Sequence, residues 1–267
     1  MMSLETLLDK MWVDYCQLNP AAKRIYDLFV GQGETVLNDH IALRTFNHPR
    51  LGIKSLAKQF IKLGYVEAAQ EYIFTEKKLY AKHFQHPNEN MPKIFISELE
   101  LEKVSPFVRE TMTKLIESIP QELIDSETFA MCGRPWEMSH ALYSELAKES
   151  EYASWVAAYG FRPNHFTVNI NALKKFAEVS ELNSWLKSNG VVLNASGGEV
   201  KGTPADYLEQ SSTMASEIPV KFSDGTFNIP GCYYEFAKRY KMEDGKLYQG
   251  FVAKSADKIF ESTNKQK

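Results

Sequence analysis

Asn38-Asp39-His40-Ile41-Ala42-Leu43-Arg44-Thr45-Phe46 decides the fold, because its plan returns later in the chain. From His40 onward the stretch reads as a strand. Side chains alternate along a strand, so His40, Ala42 and Arg44 share one face while Ile41, Leu43 and Thr45 share the other. Asn164-His165 opens a second such strand, His165 to Ile170, again with a polar residue and a histidine at its mouth. A helical pattern follows each strand: Leu51 to Leu63 closed by Gly64, and Leu173 to Ser188 closed by Asn189-Gly190. Three extended stretches come after the first helix, at Tyr72 to Thr75, Lys78 to His86 and Lys93 to Leu99. A set of extended segments ending in CYYEFAKRY, Cys232 to Tyr240, comes after the second. His40 and His165 are 125 residues apart, and Gly64 and Gly190 are 126 apart. Two strand, helix and three-strand units kept in step to one residue are an internal repeat. The expected fold class is therefore α+β, with two modules related by a pseudo-twofold.

Outward from this repeat, Leu4, Leu7, Leu8, Met11, Trp12 and Tyr15 recur at spacings of three and four, so Ser3 to Leu18 reads as an amphipathic helix ended by Asn19-Pro20. A second helical pattern runs through Ile25, Leu28, Phe29 and Val30 to Gly31 and Gly33. Between Glu102 and Tyr159 the pattern is a helical connector, with breaks at Pro106, Pro120 and Gly133-Arg134-Pro135. The expected organisation is one globular unit: N-terminal helices over 1–34, a first module over 35–101, the connector over 102–162, a second module over 163–260 and a polar tail over 261–267.

Composition narrows the function classes. The chain has 267 residues, 44% of them hydrophobic, which suits a substantial core. Its net charge of −3 and lack of any Lys/Arg stripe disfavour nucleic acid as a partner. No run approaches the ~18 apolar residues of a membrane span. Glu5, Asp9 and Asp14 interrupt the first residues, so no secretory signal is expected. Cys16, Cys132 and Cys232 are odd in number and widely spaced, which argues against a disulfide framework and for a cytoplasmic setting. No phosphate loop, GxGxxG, GxSxG or HExxH motif is present, so nucleotide-dependent and serine-hydrolase chemistry lose their support.

Metal chemistry is one reading of the residues that remain, beside purely structural roles. Matching positions in two units related by a pseudo-twofold bring His40 and His165 together. Glu235 projects from a mostly apolar strand, where an unpaired carboxylate is costly. Two histidines and one carboxylate with open positions form the facial set of non-haem Fe(II) enzymes. A lone strand histidine is more often a satisfied core or surface residue, and a lone strand glutamate more often solvated or salt-bridged; the repeat-matched positions raise the metal reading, though on the residues alone the structural reading stays the commoner one. His83 and His86 are rival ligands and Glu98 a rival carboxylate, whereas His48 and His140 read as structural or solvated. Arg44 lies four residues from His40 on the same face, ~13 Å along the strand. That gap suits a small acid spanning from metal to guanidinium, since an arginine fork grips a carboxylate with two charge-assisted hydrogen bonds; a strand arginine paired with a nearby protein acid is an equal reading of the same residue. Arg134, Arg162 and Arg239 are weaker candidates for that task.

The stretches NDHIALRTF, KHFQHPN leading to KIFISEL, SEYASWVAAYGFRPNHFTVNI and CYYEFAKRY resemble the DUF1338 family, whose characterised members are 2-oxoadipate dioxygenase/decarboxylases. The resemblance covers roughly Asp39 to Tyr240. It implies paired βαβββ modules like those of the vicinal oxygen chelate superfamily, forming a half-open β-barrel around a metal site. It further implies Fe(II) held by His40, His165 and Glu235, with Arg44 on a substrate carboxylate. The implied reaction converts a 2-oxo dicarboxylic acid, 2-oxoadipate, and O2 into 2-hydroxyglutarate and CO2. A glyoxalase-like metal-dependent isomerase or lyase and a non-catalytic small-molecule binding module are the alternatives.

Overall fold

The computed structural model of the chain describes residues 2–263. It opens with helices α1 (Leu4–Leu18) and α2 (Pro20–Gly31), then β1 (Asn38–Phe46), α3 (Ile53–Lys62), β2 (Val66–Phe74), β3 (Leu79–Gln85) and β4 (Lys93–Leu99). The connector holds α4 (Pro106–Glu117), α5 (Gln121–Ile124), α6 (His140–Glu149) and α7 (Glu151–Tyr159). There follow β5 (Pro163–Asn169), α8 (Val179–Ser188), β6 (Lys201–Thr203), β7 (Leu208–Ser212), β8 (Glu217–Phe222), β9 (Gly225–Pro230), β10 (Tyr233–Arg239) and α9 (Ala253–Ile259).

Eight strands form one sheet in the order β2-β3-β4-β1-β5-β10-β7-β6. Read outward from the antiparallel β1–β5 pair, each half repeats the same plan: β1 runs parallel to β4 as β5 runs parallel to β10. The repeat is exact in register at the centre, where His40 faces Thr167 and Ala42 faces His165. A twofold between these pairs carries His40 onto His165, as the spacing in the sequence requires. The β8–β9 hairpin, a separate two-stranded sheet, is inserted between β7 and β10 of the second module.

Central strands buried on both faces carry the core. On the outer face the α1 stripe of Leu4, Leu7, Met11 and Tyr15 is buried. The rings of Trp12 and Tyr15 lie 5.1 and 5.0 Å from Phe166 of β5. Helix α7 is buried on every side, and its Tyr152 hydroxyl accepts the Thr45 N–H of β1 at 3.0 Å. Gly160 ends α7 at φ +73°, and a β-carbon there would sit 1.9 Å from the Gly133 carbonyl, so only glycine permits the tight passage into β5. The sheet's concave face is closed by Phe251, α9 and a final 3₁₀ turn over Phe260–Thr263. No helix among the described residues is long and apolar enough to cross a membrane.

Two local expectations need correction, and one break takes a definite form. The helix read from Leu173 starts at Val179, because Glu178 and Glu181 form a reciprocal capping box and the Glu34 carboxylate accepts the N–H groups of Lys174 and Lys175. The break expected at Pro106 is where α4 opens: Pro106 follows the Ser105 cap at a position with no hydrogen bond to lose. Of the tail expected over 261–267, Ser262 and Thr263 are buried, since the Ser262 hydroxyl bonds to Asn194 and Ser212; residues 264–267 lie outside the described residues.

Candidate metal centre

Strand parity sets the concave face. β1 turns His40, Ala42 and Arg44 inward, and the register aligns His165 with Tyr233 and Thr167 with Glu235 on the next strands. Three side chains from three adjacent strands thereby converge. His165 Nε2 lies 3.1 Å from Glu235 Oε2 and His40 Nε2 lies 3.5 Å from Glu235 Oε1. One ligand atom from each residue lies within 4.8 Å of the others. All three residues are buried.

Each is held from behind. His40 Nδ1 donates to Asp39 Oδ1 at 2.7 Å, which leaves the Nε2 lone pair facing the centre, where it accepts from the Thr167 hydroxyl at 3.0 Å. Arg239 grips Asp39 with two bonds of 2.6 and 2.9 Å and also donates to the carbonyls of Tyr248 and Gly250. On the other side His165 Nδ1 donates to Asn164 Oδ1 at 3.1 Å, while the Tyr233 ring stacks on the imidazole at 4.6 Å. Glu235 accepts a hydrogen bond from the Gln210 amide. The Phe251 ring packs edge-on to His40 at 4.8 Å and shields it from water.

The electrostatics fit a divalent cation. Burial lowers the pKa of His40 and, with the neighbouring His40 and Arg44, holds His165 well below the ordinary range. Both imidazoles are therefore neutral, and their contacts with Glu235 are not ion pairs. Burial pushes the Glu235 carboxyl up to about 8, against the Gln210 hydrogen bond that lowers it. Two neutral nitrogens and a carboxyl with no cation against it match a metal that displaces the proton and supplies the missing charge. Asp39 behaves oppositely: burial would raise it, but Arg239 and the His40 hydrogen bond hold it well below the usual carboxylate range.

Arg44 lines one narrow, tightly packed cavity with the three residues. Its Nη1 donates to Glu151 Oε1 at 3.0 Å, and the rings of Tyr152 and Trp155 lie 4.9 and 5.1 Å from its guanidinium carbon. Nε and Nη2 are buried and have no hydrogen-bond partner among the described residues. A guanidinium with unused donors thus stands in the same cavity as the His/His/Glu set.

The rival candidates are placed elsewhere. Glu98 pairs with Thr45, on the opposite face of the sheet, and accepts the Ile53 N–H at the start of α3 at 3.0 Å. The twofold counterpart of Glu235 is Phe95, which faces Ala42 as Glu235 faces Thr167. His83 is on the concave face but bonds to Tyr72 and Gln85, and His86 lies against Tyr65. Arg134 donates to main-chain carbonyls, Arg162 lies 3.6 Å from Asp14, and Arg239 serves Asp39. Sequence reasoning missed the roles of Asp39, Gln210, Tyr233 and Phe251. For Asp39 the signal was present in the polar residue that precedes each histidine; for Gln210 and Phe251 no pattern in the sequence marks them.

A family model described as 2-oxoadipate dioxygenase/decarboxylase matches residues 27–246. The chain belongs to this family. The matched span contains His40, Arg44, His165 and Glu235. The chain is 34% identical to the chloroplastic 2-oxoadipate dioxygenase/decarboxylase of Arabidopsis thaliana, over 97% of its own length and 76% of that protein. A solved structure from Shewanella frigidimarina is 48% identical with a TM-score of 0.90, covering 95% of this chain and 99% of that one. The hydroxyglutarate synthase of Oryza sativa, solved in complex with 2-oxoadipate, is 33% identical with a TM-score of 0.89, covering 97% and 91%.

Proposed function

We propose that the chain is an Fe(II)-dependent dioxygenase/decarboxylase that converts 2-oxoadipate and O2 into 2-hydroxyglutarate and CO2. The observation that carries this reading is the buried His40/His165/Glu235 set in one cavity with Arg44, whose Nε and Nη2 have no partner. Family membership and the likeness to a synthase solved with 2-oxoadipate support it.

Fe(II) held by the three residues supplies the redox chemistry with O2 that no protein side chain offers. The protein's own residues bind, orient and exclude water. Arg44 donates from Nε and Nη2 to the distal carboxylate, fixing the acid's far end while its 2-oxo end faces the histidines. Asp39 and Asn164 keep both imidazoles in the tautomer that presents Nε2. Phe95, Phe251 and Phe260 line the cavity and keep it dry. The balance is internal: C1 leaves as CO2, one oxygen atom completes a carboxylate at the former keto carbon, and the other becomes the hydroxyl on the neighbouring carbon. No second organic co-substrate is consumed.

The test is oxygen uptake by anaerobically iron-loaded protein on addition of 2-oxoadipate. Uptake matched one to one by CO2 release is expected. Iron-loaded protein that consumes no oxygen with any 2-oxo acid overturns the reading and favours a glyoxalase-like isomerase or lyase.

A further inference from the structure

Tyr233 is among the largest fully buried side chains of the protein, yet its hydroxyl has no hydrogen-bond partner. Buried phenols ordinarily find one, because leaving a polar group unpaired away from water is costly. Tyr234, whose hydroxyl is also unpaired, faces the other side of the sheet against Trp12 and does not line the cavity. Tyr233 does.

The strand register locates it. His40, Thr167 and Glu235 lie side by side at one level of the sheet; Ala42, His165 and Tyr233 lie side by side at the next; Arg44 is one step further along β1. Tyr233 therefore rises from the wall at the level of His165, between the level of His40 and Glu235 and that of Arg44. Among the described residues, four buried donors on residues that line this cavity have no protein acceptor: Nε and Nη2 of Arg44, the Tyr233 hydroxyl, and Nδ2 of Asn164, whose Oδ1 is taken by His165. Those of Arg44 and Tyr233 suit one carboxylate, whose two oxygens offer about four lone pairs.

We propose that the Tyr233 hydroxyl donates to the same distal carboxylate that Arg44 binds, and so makes the site selective for 2-oxo dicarboxylic over 2-oxo monocarboxylic acids. This rests on reading the cavity as a 2-oxo acid site. The ring's stacking on His165 is a separate, positioning task that phenylalanine would preserve.

The experiment titrates Fe(II)-loaded protein, with oxygen excluded, against 2-oxoadipate and against 2-oxohexanoate, which has the same chain length but no distal carboxylate. Tyr233→Phe is expected to weaken 2-oxoadipate binding on the order of 10- to 100-fold, the range for a hydrogen bond to a charged group, with 2-oxohexanoate binding unchanged. Iron content stays at the wild-type value and the melting temperature of the metal-free protein does not fall, since the hydroxyl bonds to nothing in the protein and its removal relieves an unpaired buried polar group. Under turnover KM rises more than kcat falls. Unchanged 2-oxoadipate affinity in Tyr233→Phe, or an equal loss for both acids, overturns the proposal. Wild-type protein that binds iron but not 2-oxoadipate overturns the underlying reading, and the proposal with it.

Discussion

The first and second modules share one plan, and each contributes one histidine from the same position of its first strand, but only the second contributes a carboxylate. Where β10 places Glu235, β4 places Phe95, with its ring 4.9 Å from Phe251. The two histidines are also supported differently: an anionic Asp39 held by Arg239 stands behind His40, and a neutral Asn164 behind His165. Duplication is thus enough to pair the imidazoles, while divergence leaves three protein donors instead of four and turns the vacated side into an apolar wall. On the proposed reading, that loss of symmetry is what leaves coordination positions for substrate and oxygen.

The comparison can be broken most sharply at the carboxylate. Glu235→Ala should lower metal affinity by more than about 100-fold, beyond the range for loss of a merely supporting residue, and leave the purified protein without stoichiometric iron by elemental analysis. Glu98→Ala should leave the iron content untouched.

Next in size is the unequal support of the histidines. Asp39→Ala should weaken metal binding toward the top of the ~10- to 100-fold range for outer partners of metal ligands, and Asn164→Ala toward the bottom. Equal losses in competition titrations would show that the charge on Asp39 contributes nothing.

A smaller effect lies in the pH dependence. The folded protein raises Glu235 from its ordinary value of 4.5 to about 8, so the native state holds a proton that the unfolded chain gives up earlier. This contribution to stability is complete below about 4.5 and is lost as pH rises through about 8. Metal-free wild-type protein should therefore lose stability across that window in denaturant titrations. Glu235→Gln, which carries no proton to lose, should flatten the slope.

The smallest effect concerns the first module's own glutamate. Glu98 accepts the Ile53 N–H at the head of α3, so Glu98→Ala should cost about 0.5–2 kcal/mol of unfolding free energy, as loss of a helix cap does, with metal binding and oxygen uptake unchanged.

Much of this was legible in the sequence. The two histidine-led strands, the helix after each and the common offset defined the repeat, and β4 runs over the residues read as extended. Glu235 against Glu98 was not decidable from pattern alone, because both are carboxylates on the last strand of a module. Their faces differ by the register against β1 and β5, which is a non-local property. Arg239 read as a weak substrate ligand because its partner Asp39 lies 200 residues away. Helix α8 began later than its apolar spacing suggested, because a capping box outranked periodicity over Leu173 to Glu178.

By itself the sequence determined the repeat, the alternation that puts His40 and Arg44 on one face, and the supply of two histidines with few carboxylates that could join them. These follow from local spacing and side-chain chemistry. Only the tertiary structure decided which carboxylate joins the histidines, which residues stand behind them, and that Arg44 and Tyr233 keep donors unused inside the cavity. Those outcomes depend on strand register and on burial, and both are set by packing between segments far apart in the chain.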